Sequence, residues 1–399
     1  MKYWLWLSGQ SGVSSRARAA IIRHYQDAEL AFFAPTGEFE TIPGLSKAEV
    51  QLLEKRDIAN AERILHDCDR LGIDIITMQD ARYPKRLKSI YAPPVLLYVK
   101  GRLPDVDSEA AVAVIGTRKA SAYGLKMGKS ISYEIAKCGG TVISMLSEGI
   151  DREAAKGCLL AGGRCIGVLG TGHGEEKSLH RDIIASGALI SEYPPGAVPQ
   201  KFFFRERNRI ASGLSQGVVV VEAPERSGTL LFAAEALEQG REVFAVPGNA
   251  DAVNSVGTNG LIKQGAKPVT KGWEVLEEFE YLFPGVLKRT ESTLPDEPAA
   301  AQQEEKKPSA TKPAKATIKD IDKKKPTGYI DLHEQLSQLN EEQLQIIKAI
   351  EGDDTHIDEL IVRTGLSAAK VLSQLTVLEI RGFVRRSAGR RISLNIKSK

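Results

Sequence analysis

Nine consecutive residues, Lys201-Phe202-Phe203-Phe204-Arg205-Glu206-Arg207-Asn208-Arg209, place one lysine, three arginines and three aromatic rings in one short segment. Cations neutralise phosphates, and an exposed ring stacks on a base. Together they are the chemistry of single-stranded nucleic-acid binding, where stacking is worth about 1–3 kcal/mol per base. The same residues also read as a buried phenylalanine cluster flanked by solvated charges, because aromatic side chains mostly serve cores.

Two further segments could hold an anion. Gly116-Thr117-Arg118 follows the apolar run 111–115 and precedes a helix. Free backbone N–H groups, the helix dipole and a forked guanidinium all suit a phosphate there. Arg226-Ser227-Gly228-Thr229-Leu230 repeats the arrangement after residues 217–222. At that point Ser227 or Thr229 serves equally well as an ordinary helix cap. The glycine-rich Gly170-Thr171-Gly172-His173-Gly174 follows another strand, but no nucleophile or partner accompanies His173. No GxGxxG fingerprint or GxxxxGK[ST] loop occurs at these turns, so neither a nicotinamide cofactor nor ATP hydrolysis is supported. No cofactor and no catalytic residue is expected.

The elements that must position these residues follow from patterning. At 399 residues the chain exceeds one compact core, so two to four domains are expected. Its 42% hydrophobic and 26% charged residues are those of ordinary soluble protein, and a net charge of +3 means that any basic surface is local. Cys68, Cys138, Cys158 and Cys165 form no CxxC pair, which implies a reducing compartment and no structural zinc. No apolar run reaches the length of a membrane span, and residues 1–7 lack the features of a signal peptide, so a cytoplasmic protein is expected.

Residues 1–71 read as a helical N-terminal domain, with apolar residues at helical spacing over 14–25 and 47–71. The loops 8–13 and 42–46 precede helices and have a helix-hairpin-helix-like character; small helical packing without DNA contact is the competing reading. Residues 72–286 alternate continuous Val/Ile runs with helices. The strands fall at 111–115, 141–144, 164–170, 188–192, 217–222 and 242–246. Such runs are strands of a parallel sheet buried on both faces. The expected class is therefore α/β, a Rossmann-like, doubly wound, mostly parallel sheet whose ligands bind at the carboxyl ends of its strands. Residues 287–328 are a Lys/Ala/Pro-rich disordered linker by composition. Residues 329–399 read as helices and a terminal hairpin, the winged-helix pattern, with arginines 385, 386, 390 and 391 on the wing.

With these motifs in place, the chain resembles the DNA-processing protein A (DprA/Smf) family. The resemblance is carried by Asp80–Pro84 with Arg86-Leu87, Ile115-Gly116-Thr117-Arg118 with Tyr123-Gly124, Gly149-Ile150-Asp151, and Ser191-Glu192-Tyr193-Pro194. It continues through Phe204-Arg205-Glu206-Arg207-Asn208-Arg209-Ile210, Glu222-Ala223, Ser227-Gly228-Thr229, Val246-Pro247-Gly248, and Gly257-Thr258-Asn259 to Leu261-Ile262. It implies a protein, not an enzyme, that binds and protects single-stranded DNA entering the cell during natural transformation. Such a protein would help displace single-strand-binding protein, load the RecA recombinase and form a homodimer. By motif position, the resemblance implies DNA contacts at Arg118, Lys201, Phe204, Arg207, Asn208 and Arg209. Gly116, Thr117, Ser227, Gly228 and Thr229 complete the expected site. The chain departs from the family pattern at Ser144-Met145-Leu146-Ser147-Glu148, at Ala154-Ala155 where the family has Ala-His, and at Glu175-Glu176-Lys177-Ser178 where it has Tyr-Pro.

Two other readings compete. The core faintly resembles nucleotide phosphoribohydrolases, but their Pro-Gly-Gly-x-Gly-Thr-x-x-Glu loop is replaced by Pro224-Glu225-Arg226-Ser227-Gly228-Thr229. The C-terminal pattern alone would suit a duplex-DNA regulator.

Overall fold

The computed structural model describes residues 1–197, 199–290, 294, 341–350, 355–367, 370, 371, 374, 375, 378, 383–387 and 391–394. Contacts divide the chain into two units, residues 1–302 and 303–399.

The first unit begins with helices α1 (Lys2–Gly9), α2 (Ser15–Tyr25), α3 (Ala28–Phe32), α4 (Lys47–Leu53) and α5 (Ala59–Leu71). Capping explains the boundaries. The Ser14 hydroxyl accepts the Ala17 N–H, and Ser46 forms a reciprocal capping box with Glu49. Residues 47–71 read as one helical stretch in sequence but fold as two. Arg56 adopts φ 50°, its guanidinium donates to the Ala34 carbonyl, and the Asp57 carboxylate accepts the Ala59 N–H that starts α5. The helices enclose Trp4, Trp6, Phe39 and Leu53, and this core continues onto Leu96 and Tyr98 of the sheet.

The sheet and its helices follow: β1 (Asp74–Thr77), α6 (Lys85–Lys88), β2 (Leu96–Gly101), β3 (Ala111–Ile115), α7 (Ala122–Lys137), β4 (Thr141–Ser144), α8 (Ile150–Leu160), β5 (Cys165–Val168) and α9 (Ser178–Ser186). Then come β6 (Ala188–Ser191), α10 (Lys201–Leu214), β7 (Gly217–Val220), α11 (Gly228–Glu238), β8 (Glu242–Ala245), α12 (Val256–Lys263), β9 (Lys267–Pro268) and α13 (Trp273–Leu276). The strand order is β1-β2-β6-β5-β4-β3-β7-β8-β9. Strands β3 to β9 run parallel to their neighbours, with registers such as Val112↔Val142 and Val114↔Val219, whereas β2 lies antiparallel to both β6 and β1. The mostly parallel, doubly wound sheet expected from the sequence is therefore present, and β1, β2 and β9 extend it.

Alternation along β3 shows why these strands are continuously apolar. Ala111, Ala113 and Ile115 face one layer, formed by α6, α10 and α11; Val112 and Val114 face the other, formed by α7, α8, α9 and α13. Both layers exclude water, so a polar residue at either phase would be buried unpaired. The chain winds from β3 outward to β6, then crosses by α10 to β7 on the other side of β3. The carboxyl ends of β3 and β7 thus form the switch point of the sheet, where open α/β sheets leave a crevice. The chain stays packed beyond α13: Leu287 is buried and the Lys288 N–H donates to the Cys138 carbonyl. Most of the segment expected to be a linker lies outside the described residues.

The second unit contains α14 (Glu341–Ala349), β10 (Thr355–His356), α15 (Ile357–Thr364), β11 (Val384–Ser387) and β12 (Arg391–Leu394). The strands pair antiparallel in the order β10-β12-β11. Gly365 at φ 64° ends α15, and Val371, Leu375 and Leu378 supply a third helical contribution to the core. This is the expected winged-helix pattern, although Arg390 lies outside the described residues.

Candidate nucleic-acid interface

The loop after β3 is locked from three sides. The Gly116 N–H donates to the Asp151 carboxylate at 3.1 Å, and the Thr117 N–H donates to the Glu222 carbonyl at 2.9 Å. Gly149, at φ 84°, lies beneath the loop, and a Cβ there would come within 2.5 Å of the Thr117 carbonyl oxygen. Only glycine satisfies both that backbone angle and that approach. The loop therefore holds a fixed path while the Arg118 side chain stays exposed.

Helix α10 supplies the second wall. Phe204, Arg207 and Asn208 stand at i, i+3 and i+4, which places them on one helical face. Phe204 packs its ring edge on Gly170, where a Cβ would approach it to 2.7 Å, yet 38% of the residue remains exposed. Arg207 is only 5% exposed; its Nη1 donates to the Met145 carbonyl at 2.9 Å and its Cζ sits 5.8 Å from the Phe204 ring centroid. Its Nε is buried without a partner, and burial holds its pKa down to about 10 despite the favourable field of Asp151. A desolvated cation with an unused donor is arranged to take an acceptor.

The N-terminus of α11 closes the pocket. Ser227 occupies the capping position but makes no side-chain cap, and its hydroxyl is buried without a partner; Thr229 lies inside the helix. The cap reading of Ser227 does not hold, so the first helical N–H groups remain open to an anion. The resulting pocket, about 490 Å³, unites Gly116, Thr117, Arg118, Phe204, Arg207, Asn208, Ser227, Gly228 and Thr229, with Lys119 and Arg205 beside them. Among the described residues no carboxylate lies within ion-pair distance of Arg118 or Arg207.

Two expected residues stand apart. Lys201 opens α10, but its side chain lies outside what the structure describes. Arg209 does not face the pocket. It is buried, and its Nη2 donates to both Glu192 oxygens at 2.6 Å, with Glu206 at 3.4 Å from Nε. Two residues along a helix turn about 200°, so Arg207 and Arg209 point to opposite sides. The Ser15 hydroxyl also donates to Glu192, at 3.3 Å, which ties α2 to this ion pair. Phe203 stacks on Tyr193 with centroids 3.7 Å apart and fixes the first turn of α10, while Phe202 is exposed. Helical phase divides the segment 201–209: Phe204, Arg207 and Asn208 line the pocket, while Phe203 and Arg209 pack into the scaffold, so its buried side chains are arginines and not a phenylalanine cluster.

The residue that sequence reasoning missed is Asp151. Buried to 1% exposure, it lines the same pocket, and burial pushes its carboxyl up to about 6 against the opposing pull of Arg207, the Gly116 N–H, Ser147 and Arg118. Gly149-Ile150-Asp151 belongs to the motifs that carry the resemblance, but an aspartate in the first turn of a helix ordinarily signals only the dipole, so the motif did not mark this carboxylate as part of the pocket.

The other motifs resolve structurally. Between loops 8–13 and 42–46 lies Glu49, which accepts from the backbone N–H and hydroxyl of both Ser14 and Ser46. Burial opposes its ionisation, but these four bonds outweigh that and hold its carboxyl down to about 2. The chain's own carboxylate thus occupies the anion position between the two helix starts. His173 is buried with Nε2 2.9 Å from the Tyr98 carbonyl oxygen, and Ala155 is buried in the core between α8 and the sheet.

Residues 74–280 match the family described as DNA recombination-mediator protein A, and residues 332–390 match the DprA winged helix domain. Protein Smf of Synechocystis sp. is 30% identical over 399 residues, covering 98% of this chain and 97% of its own length. DNA processing protein DprA of Bacillus subtilis is 40% identical over 221 residues, covering 54% of this chain and 74% of its own. The X-ray structure of DNA processing protein A from Streptococcus pneumoniae superposes with a TM-score of 0.62 at 33% identity, covering 70% of this chain and 98% of that one.

Proposed function

Because this chain belongs to the DNA recombination-mediator protein A family, we propose that its switch-point groove binds single-stranded DNA. In this reading the protein protects incoming strands and loads RecA recombinase during natural transformation. The observation that carries the reading is the pocket itself. One concavity holds an exposed ring, two arginines free of ion pairs and an open helix N-terminus. A phosphodiester would sit between Arg118, Arg207 and the N–H groups of Gly228 and Thr229, while a neighbouring base stacks on Phe204. Every base has a π-face, so binding would tolerate any sequence. Lys201 would contact the strand from the start of α10. Arg209 would act through the scaffold, by fixing α10 to Glu192. Homodimer formation, contact with single-strand-binding protein and a cytoplasmic location belong to the same reading.

Fluorescence anisotropy with labelled oligo-dT and a matching duplex tests it. Single strands are expected to bind more tightly, with log K falling by about 0.7 per phosphate contact against log salt, and Arg118→Ala is expected to lower that slope by about 0.7. Duplex preference, or an unchanged slope, would refute the placement. The loading step is tested by RecA ATPase on oligo-dT coated with single-strand-binding protein. Stimulation by the full chain is expected, and its absence would confine the function to strand binding.

A further inference from the structure

Asp151 poses a problem for an anion-binding groove. A buried carboxylate lines the pocket in which a phosphate would have to sit. Its Oδ1 accepts the Gly116 N–H, which shapes the loop carrying Arg118. Arg207 and Arg118 both act on it electrostatically, from α10 and from the loop after β3, and Ser147 hydrogen-bonds it from the loop after β4. On its own helix Arg152 and Glu153 follow directly, while Lys119 and Arg205 line the outer pocket and the α11 end contributes the uncharged Ser227, Gly228, Thr229 and Leu231.

Resting on the single-strand reading above, we infer that Asp151 is a positioning residue. Its carboxylate shapes the Gly116–Arg118 loop through the Gly116 N–H, supplies the negative field that Arg207 and Arg118 feel when the groove is empty, and yields its charge when a phosphate arrives. The geometry makes the two anions competitors for the same cations. When the strand's phosphate enters, repulsion favours the neutral carboxyl, and the proton comes from solvent. The neutral carboxyl still accepts the Gly116 N–H through its carbonyl oxygen, so the loop keeps its shape. Binding and protonation are therefore linked. The free carboxyl titrates near 6. If the bound phosphate moves it up by about one unit, affinity rises about fivefold between pH 8 and pH 6. A DNA phosphodiester does not titrate in this range.

The test compares the wild type, Asp151→Asn and His180→Gln in anisotropy titrations with oligo-dT from pH 8 to pH 6. His180 is included as an imidazole control, because it lies in a separate basic recess with Arg152, Lys156 and Lys177. About fivefold tightening is expected in the wild type and in His180→Gln. Asp151→Asn is expected to bind tightly at both pH values. Calorimetry of the wild type at pH 6.5 in two buffers of different ionisation enthalpy should show uptake of a fraction of a proton on binding. This measurement does not depend on any variant folding. Salt-sensitive binding with equal pH dependence in wild type and Asp151→Asn, or with no proton uptake, would overturn this inference alone. Absence of oligo-dT binding by the wild type at every pH would overturn the single-strand reading and this inference with it.

Discussion

Replacing Phe204 with alanine separates stacking from charge in the groove. The ring is 38% exposed, its edge packs on Gly170, and Arg207 lies over its face. Loss of one ring–base stack removes about 1–3 kcal/mol. At about 1.4 kcal/mol per tenfold, oligo-dT should bind about 5- to 150-fold more weakly. No cation is removed, so the dependence of log K on log salt should stay as in the wild type. The part of the ring already packed adds a stability cost of about 1–2 kcal/mol, less than for a fully buried phenylalanine. Anisotropy at four salt concentrations, with thermal unfolding alongside, reads all three quantities. Phe204→Trp, which keeps a stacking face, should retain most of the affinity. Unchanged affinity in Phe204→Ala, or a loss accompanied by a shallower salt slope, would refute the assignment of stacking to this ring.

Other outcomes concern the scaffold. Glu192→Ala leaves buried Arg209 with only the half-exposed Glu206 at 3.4 Å and should destabilise the fold by about 3 kcal/mol, read by urea denaturation. Glu49→Ala removes the acceptor shared by Ser14 and Ser46 and should cost about 1–2 kcal/mol at pH 7. Because the folded carboxyl of Glu49 titrates near 2, below its ordinary value of 4.5, its contribution should be complete above about pH 4.5 and fade as pH falls toward 2. A wild-type minus Glu49→Ala stability difference that stays flat across that window would contradict the assignment. Gly149→Ala forces a Cβ against the Thr117 carbonyl and should weaken oligo-dT binding by displacing the Arg118 loop, with little loss of secondary structure by circular dichroism.

Much of this was legible in the sequence because burial on both sheet faces imposes continuous apolar runs. The strands at 111–115 and 141–144 coincide with the observed elements for that reason. β1 and β2 were not read because β1 carries only two apolar residues, Ile75 and Ile76, β2 follows Pro93-Pro94, and both pair antiparallel at one side of the sheet. The site was legible where glycines and cations follow strands. Helical phase in 201–209 was also available, since 204, 207 and 208 share a face that 209 leaves. The Asp151 carboxylate was not, because only tertiary packing brings it under Gly116. Nor was the Arg209–Glu192 pair, whose partners lie 17 residues apart on different elements.

The most direct measurement of the central claim is photocrosslinking of the full chain to a 5-iodouracil-substituted single strand, followed by peptide mapping. The account expects the crosslink in the peptide carrying Phe204, suppressed by excess oligo-dT and not by an equal mass of duplex. Crosslinks confined to the C-terminal winged helix or to the 8–13 and 42–46 loops would place the strand elsewhere and contradict it.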